Sequence, residues 1–224
     1  MATDIIGPDT RVAWGPRVDL RELPDLYAPQ SVEPFAPPPA GIDNLGIRSI
    51  DTFMVPGMGE FTVEFRGVVR VARGRPTADD WTNALVYTNL IGMYMHGESS
   101  AVGPINVTLN PQCLSTGQLK TPFQSMSSEQ PEKSCRMAVG ALFHLPALGK
   151  TLFNKEPILL TIDHVRAIPP AGNPGVGRIY ELLPLFDRHD PEGPAVAYIT
   201  ALDFVMGTYL SETEASELLG QAPS

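Results

Sequence analysis

The chain reads as all-β: an antiparallel β-sandwich or flattened β-barrel of about nine strands, with an extended proline-rich N-terminal arm and a short C-terminal helix. Three observations predict this. Phe61, Val63, Phe65, Val69 and Val71 alternate with Glu60, Thr62, Glu64, Arg66 and Arg70, the two-residue period of a strand with one wet face. The same period returns at Cys135, Met137, Val139, Ala141, Phe143 and Leu145 against Ser134, Arg136, Ala138, Gly140 and His144. The separators between such runs are turn chemistry, as in Val55-Pro56-Gly57-Met58-Gly59 and His189-Asp190-Pro191-Glu192-Gly193-Pro194, and the absence of amphipathic crossover helices excludes parallel α/β folds.

Residues 1–41 form the arm. Its prolines at 8, 16, 24, 29, 34, 37, 38 and 39 favour polyproline geometry and cannot donate to a central ladder. Trp14, Leu20, Leu23, Leu26 and Tyr27 make it too apolar for an inert tail, so it is expected to pack on its own subunit or to embrace a neighbour. Residues 42–210 form a single domain with strands expected over 47–55, 60–73, 84–95, 104–109, 112–119, 134–145, 157–168, 177–186 and 195–209. Thr77-Ala78-Asp79-Asp80 carries the signature of a short helical turn before the third strand. The segments 84–95 and 195–209 are apolar on both faces, so each needs a cover on its second side: the arm, another subunit or a ligand. In 211–224, Ser211-Glu212-Thr213-Glu214 is a capping box opening a short helix that Gly220 stops.

The chain has 224 residues, a formal net charge of −9 and 23 prolines. A negative field repels phosphate backbones and anionic lipid, which argues against nucleic acid and membrane as partners. No apolar stretch approaches the roughly 18 residues of a spanning helix, and the start lacks a secretory pattern, so the expected setting is cytoplasmic. Cys113 and Cys135 do not make a disulfide framework, and Cys135 alternates with core residues.

Motifs for phosphate and dinucleotide binding fail. Gly149-Lys150-Thr151 lacks the glycine five residues earlier, where His144 stands, and Gly172-Asn173-Pro174-Gly175-Val176-Gly177 lies between strands with no helix to follow. His164 continues the face of Ile158, Leu160 and Ile162, and a neutral imidazole there could serve as a base. Together with Tyr94, His96 and Glu98 it forms the candidate polar or acid/base set. No cofactor or metal is expected: the spacing of two histidines one residue apart followed by glutamate, as in cupins, is missing.

The functional expectation is a barrel or sandwich that binds a small, largely apolar molecule and converts it, if at all, without a covalent intermediate. The alternatives are an assembly subunit of a homo-oligomer, using the arm and the last strand, and a metal-dependent cupin-like enzyme built from the set His96, Glu98, Asp163, His164 and His144.

Overall fold

In the computed structural model, the described residues are 39–78, 83–122, 134–162, 174–178 and 182–223. Residues 1–38 of the arm, Trp81, Asp163 and His164 lie outside them. The strands are β1 (Gly41–Val55), β2 (Gly59–Arg73), β3 (Thr77–Ala78), β4 (Asn83–Ser99), β5 (Gly103–Leu109), β6 (Thr116–Pro122), β7 (Ser134–Val139), β8 (Ala141–Leu145), β9 (Lys150–Asn154), β10 (Ile158–Ile162), β11 (Pro174–Arg178), β12 (Leu183–Asp187) and β13 (Ala197–Tyr209), followed by helix α1 (Glu212–Leu219). The alternation in β2 does what its chemistry dictates: Val63, Phe65, Val69 and Val71 are buried, whereas Glu60, Thr62, Glu64 and Arg66 face water.

Every pairing between strands is antiparallel, and β1 pairs with both β2 and β13, so the sheet closes. Four long strands, β1, β2, β4 and β13, run its full height. The opposite wall has two tiers. β4 pairs through Tyr94–Ser99 with β5 and through Asn83–Asn89 with β6; β13 meets β12 at Ala197–Ile199 and β11 at Asp203–Val205. One circuit therefore runs through β5, β8, β9 and β12, the other through β6, β7, β10 and β11. Among the described residues, four long staves and four interrupted ones make an eight-stave up-and-down barrel, which leaves no long edge open to stray pairing.

The seam between the tiers is stitched by side chains. Where Gly140 separates β7 from β8, its carbonyl accepts from Asn110 N at 2.9 Å and its N–H donates to Ser115 Oγ at 3.1 Å. Asn154, 1% exposed, accepts from Ala141 N at 2.7 Å and donates to the carbonyls of Val139 at 3.0 Å and Glu156 at 2.7 Å. These bonds replace the ladder where it is broken. Residue 140 must be glycine: a Cβ there would lie 2.5 Å from the Cys113 Cβ.

The second face of β4 is covered by the chain itself at Tyr94, whereas Tyr87 and Ile91 stay exposed. Val68 and Tyr94 form an outer cluster with Ala215 of α1, joined by Leu210, Leu218 and Leu219. Arg70 fastens the helix, donating to Asn44 Oδ1 at 2.8 Å, Glu212 Oε1 at 2.6 Å and Ser216 Oγ at 3.1 Å. The capping box is present: Ser211 Oγ accepts from Glu214 N, and Glu214 accepts from Ser211 N at 2.8 Å. Ser211→Ala is therefore expected to destabilise α1 by about 1 kcal/mol and to speed amide exchange in the first helical turn. Unchanged exchange there would show that docking through Arg70, not the cap, sets helix stability.

Thr77–Ala78 pairs with Ala84 and Leu85 as strand β3, and Asp79, Asp80 and Trp81 of the expected helical turn lie outside the described residues. One local expectation is corrected. Lys150–Asn154 is a strand the sequence pattern did not separate, since five residues after a Pro146–Leu148 turn are too few to display a period.

Candidate functional site

The interior is apolar, with Phe53, Phe61, Phe65 and Phe143 packed near the turn-side end at ring-centroid separations of 5.7 to 6.2 Å. Among the described residues two small cavities stand out. The larger, about 40 Å³, is lined by methionines 93, 95, 137 and 206, by Phe143 and Phe204, and by the polar pair Ser49 and Asp51. The smaller, about 30 Å³, has a wholly hydrocarbon surface around Phe53, Phe61 and Leu185. Phe143 borders both.

Ser49 and Asp51 are inward residues of β1, in phase with Leu45, Ile47 and Phe53, and each is 1% exposed. Neither Ser49 Oγ nor Asp51 Oδ1 makes a well-aligned hydrogen bond, although the Ser49 hydroxyl is close enough to act on the Asp51 carboxyl. Such orphans are rare in folded proteins and costly. Burial pushes the Asp51 carboxyl up to about 8; the neighbouring Ser49 hydroxyl works against this shift and the charge of Asp203 adds to it. At neutral pH Asp51 is thus an uncharged acid able both to donate and to accept.

Of the residues singled out from the sequence, Tyr94, His96 and Glu98 lie elsewhere, and His164 is outside the described residues. Tyr94, His96 and Glu98 are brought together on the outer wall around Asn106, whose Oδ1 accepts from Tyr94 Oη at 3.2 Å and lies 2.8 Å from His96 Nδ1. His96 Nε2 is 3.7 Å from Glu98 Oε1, at the exposed edge of this group. Tyr94 is buried beneath α1, not in the cavity. His144, also on the outer wall, sits between the hydroxyls of Thr108 at 3.0 Å and Thr151 at 3.3 Å, and burial together with Arg188 lowers its pKa. Both cysteines are free; Cys113 is exposed, and burial lifts the Cys135 thiol to about 12, which leaves it inert. Among the described residues no group of three or more His, Cys, Asp or Glu side chains could hold a metal ion, and no helix is long and apolar enough to cross a membrane.

Sequence reasoning missed Ser49 and Asp51, although a signal existed. Two polar residues in register with Leu45, Ile47 and Phe53 interrupt an apolar face, and that interruption is what marks them.

Comparison with known proteins adds two findings. The model of a family described as "Family of unknown function (DUF6073)" matches residues 4–216. The solved structure of DynF, from the dynemicin biosynthesis pathway of Micromonospora chersina, is 56% identical, with a TM-score of 0.75, over 90% of this chain and 96% of that one. No curated protein matches.

Proposed function

This chain belongs to the DUF6073 family, and we propose that its barrel encloses a small, largely apolar molecule whose polar group is met by Asp51 and Ser49. The observation that carries the reading is the pair of poorly satisfied polar atoms aimed into a methionine-walled cavity. A fold pays for buried orphans when a bound group satisfies them. DynF, alike over nearly its whole length, comes from a small-molecule biosynthetic pathway, which supports the same class of role.

The present cavities are far below the roughly 300 Å³ of a drug-sized site, so binding requires side chains to yield. The wall is suited to that. Methionine has three rotatable bonds and repacks at low cost, and Phe143 borders both spaces. Non-covalent conversion of the guest falls within this reading, since a neutral carboxyl is a proton donor.

Native mass spectrometry of the purified protein and titration with the uncharged dye Nile red test it. One equivalent of co-purified apolar compound, or of dye, is expected per chain. Phe143→Leu should tighten dye binding severalfold while costing about 1–2 kcal/mol of stability. Protein that emerges empty and takes up no dye in either form would remove the basis for the proposal.

A further inference from the structure

We infer that the Asp51–Ser49 pair selects guests by chemistry: the molecule held in this cavity presents an uncharged hydrogen-bond acceptor, such as a ketone or ester oxygen, and carboxylates are refused. The inference rests on the binding role proposed above and specifies what is bound. Asp51 Oδ1 and Ser49 Oγ lie on one face of β1, two residues apart, and both lack well-aligned partners although each residue is 1% exposed. The Ser49 hydroxyl also acts on the Asp51 carboxyl, but neither group makes a well-aligned bond, so both can turn toward one oxygen of a guest, and supplying that oxygen removes the cost of leaving them poorly satisfied.

Charge decides the class. The walls contributed by β2, β4, β5, β7, β8, β10 and β13 are aliphatic, methionine or phenylalanine, and among the described residues no basic side chain lines the cavity. Asp203, which adds to the negative field at Asp51, is opposite the outward residue Ile50. Asp43, further along β1, is already paired with Arg73 outside the cavity lining. An anionic guest would therefore be buried beside a carboxyl with no counter-charge, and a protonated amine would have to form an ion pair in a hydrocarbon shell, where desolvation offsets much of the attraction. A neutral acceptor meets a neutral acid at neither cost.

The test uses the full chain and three near-isosteric probes: acetophenone, α-methylstyrene, which replaces the ketone oxygen by a methylene, and benzoate. Affinities are measured by calorimetry or ligand-observed NMR at about pH 6 and about pH 9.5, either side of the titration of Asp51. At the lower pH the ketone is expected to bind about tenfold tighter than the alkene, the yield of one well-placed hydrogen bond in a dry site, and benzoate to bind weakest. At the higher pH the ketone's advantage should shrink in the wild type. It should persist in Asp51→Asn, an isosteric variant whose amide donates at both pH values and which guards against reading a folding defect as a binding one. Equal affinity for ketone and alkene, or a preference for benzoate, overturns the selection while leaving the apolar-binding role intact. So does failure of all three probes in a protein that still takes up Nile red. Failure of probes and dye together overturns both.

Discussion

Asp51→Asn is expected to stabilise the folded protein by several kcal/mol at about pH 8 and to change it little at about pH 4. The folded-state pKa of about 8 stands above the ordinary aspartate value of 3.8, so the folded state holds its proton more tightly than the unfolded chain. Below the unfolded value both states are protonated and the contribution of this group to stability is at its most favourable. As pH rises through the window, the unfolded chain releases its proton while the folded one keeps it. Stability then falls by about 1.4 kcal/mol per pH unit until the folded carboxyl also ionises, roughly 4–6 kcal/mol in all. Asparagine has no proton to lose and removes the slope.

The comparison isolates Asp51 because every other carboxyl is the same in both proteins. Asp187, lowered by hydrogen bonds from Lys150 and the His189 backbone, contributes stability that is lost as pH falls below the ordinary carboxylate range, and it does so equally in both proteins. Glu64 behaves in the same way: burial raises its pKa, but Arg48 and Arg66 outweigh that and leave it low. Urea midpoints at several pH values between 4 and 8 provide the measurement. If wild type and variant run parallel across this range, Asp51 is not the strained group described here. Divergence would mean that the fold carries a destabilising acid at the one place where a guest could use it.

Asn154→Ala is the second large effect. One amide makes three bonds across the seam, to Ala141 N, Val139 O and Glu156 O, from a site 1% exposed. Truncation removes them and leaves a buried N–H and at least one buried carbonyl bare, a loss of about 3–4 kcal/mol. Asn154→Asp separates the two directions. It can still accept from Ala141 N but cannot donate to two carbonyls when ionised, so it should rank near alanine at neutral pH and recover part of the loss in acid, where the protonated carboxyl donates again. A cost below about 1 kcal/mol for the alanine variant would show that the seam holds without this residue.

The all-β class, most strand positions and the capped terminal helix were legible because each rests on local pattern. Phe61 to Val71 shows its period without help from the rest of the chain, and so does Cys135 to Leu145, although Gly140 divides the latter into two strands. Closure was not legible. It depends on β1 reaching β13, a pairing of residues about 150 positions apart, such as Asp51 with Leu202, which no local period encodes. The need for a cover over β4 is legible but its provider is not: α1 supplies it at Tyr94 through Ala215, Leu218 and Leu219, and leaves Tyr87 and Ile91 exposed. The site was missed for a related reason. Histidines draw attention as chemistry, whereas an aspartate becomes reactive through its surroundings, and the surroundings of Asp51 come from strands scattered along the chain.

The seam has a consequence for how such a barrel can change over generations. In an unbroken strand, gaining or losing one residue turns every later side chain to the wrong face. Here a length change at residues 110–115 or 155–157 falls between two separately registered ladders. The four full-height strands keep both tiers aligned, so the interrupted wall can drift in length while the chamber behind it keeps its lining.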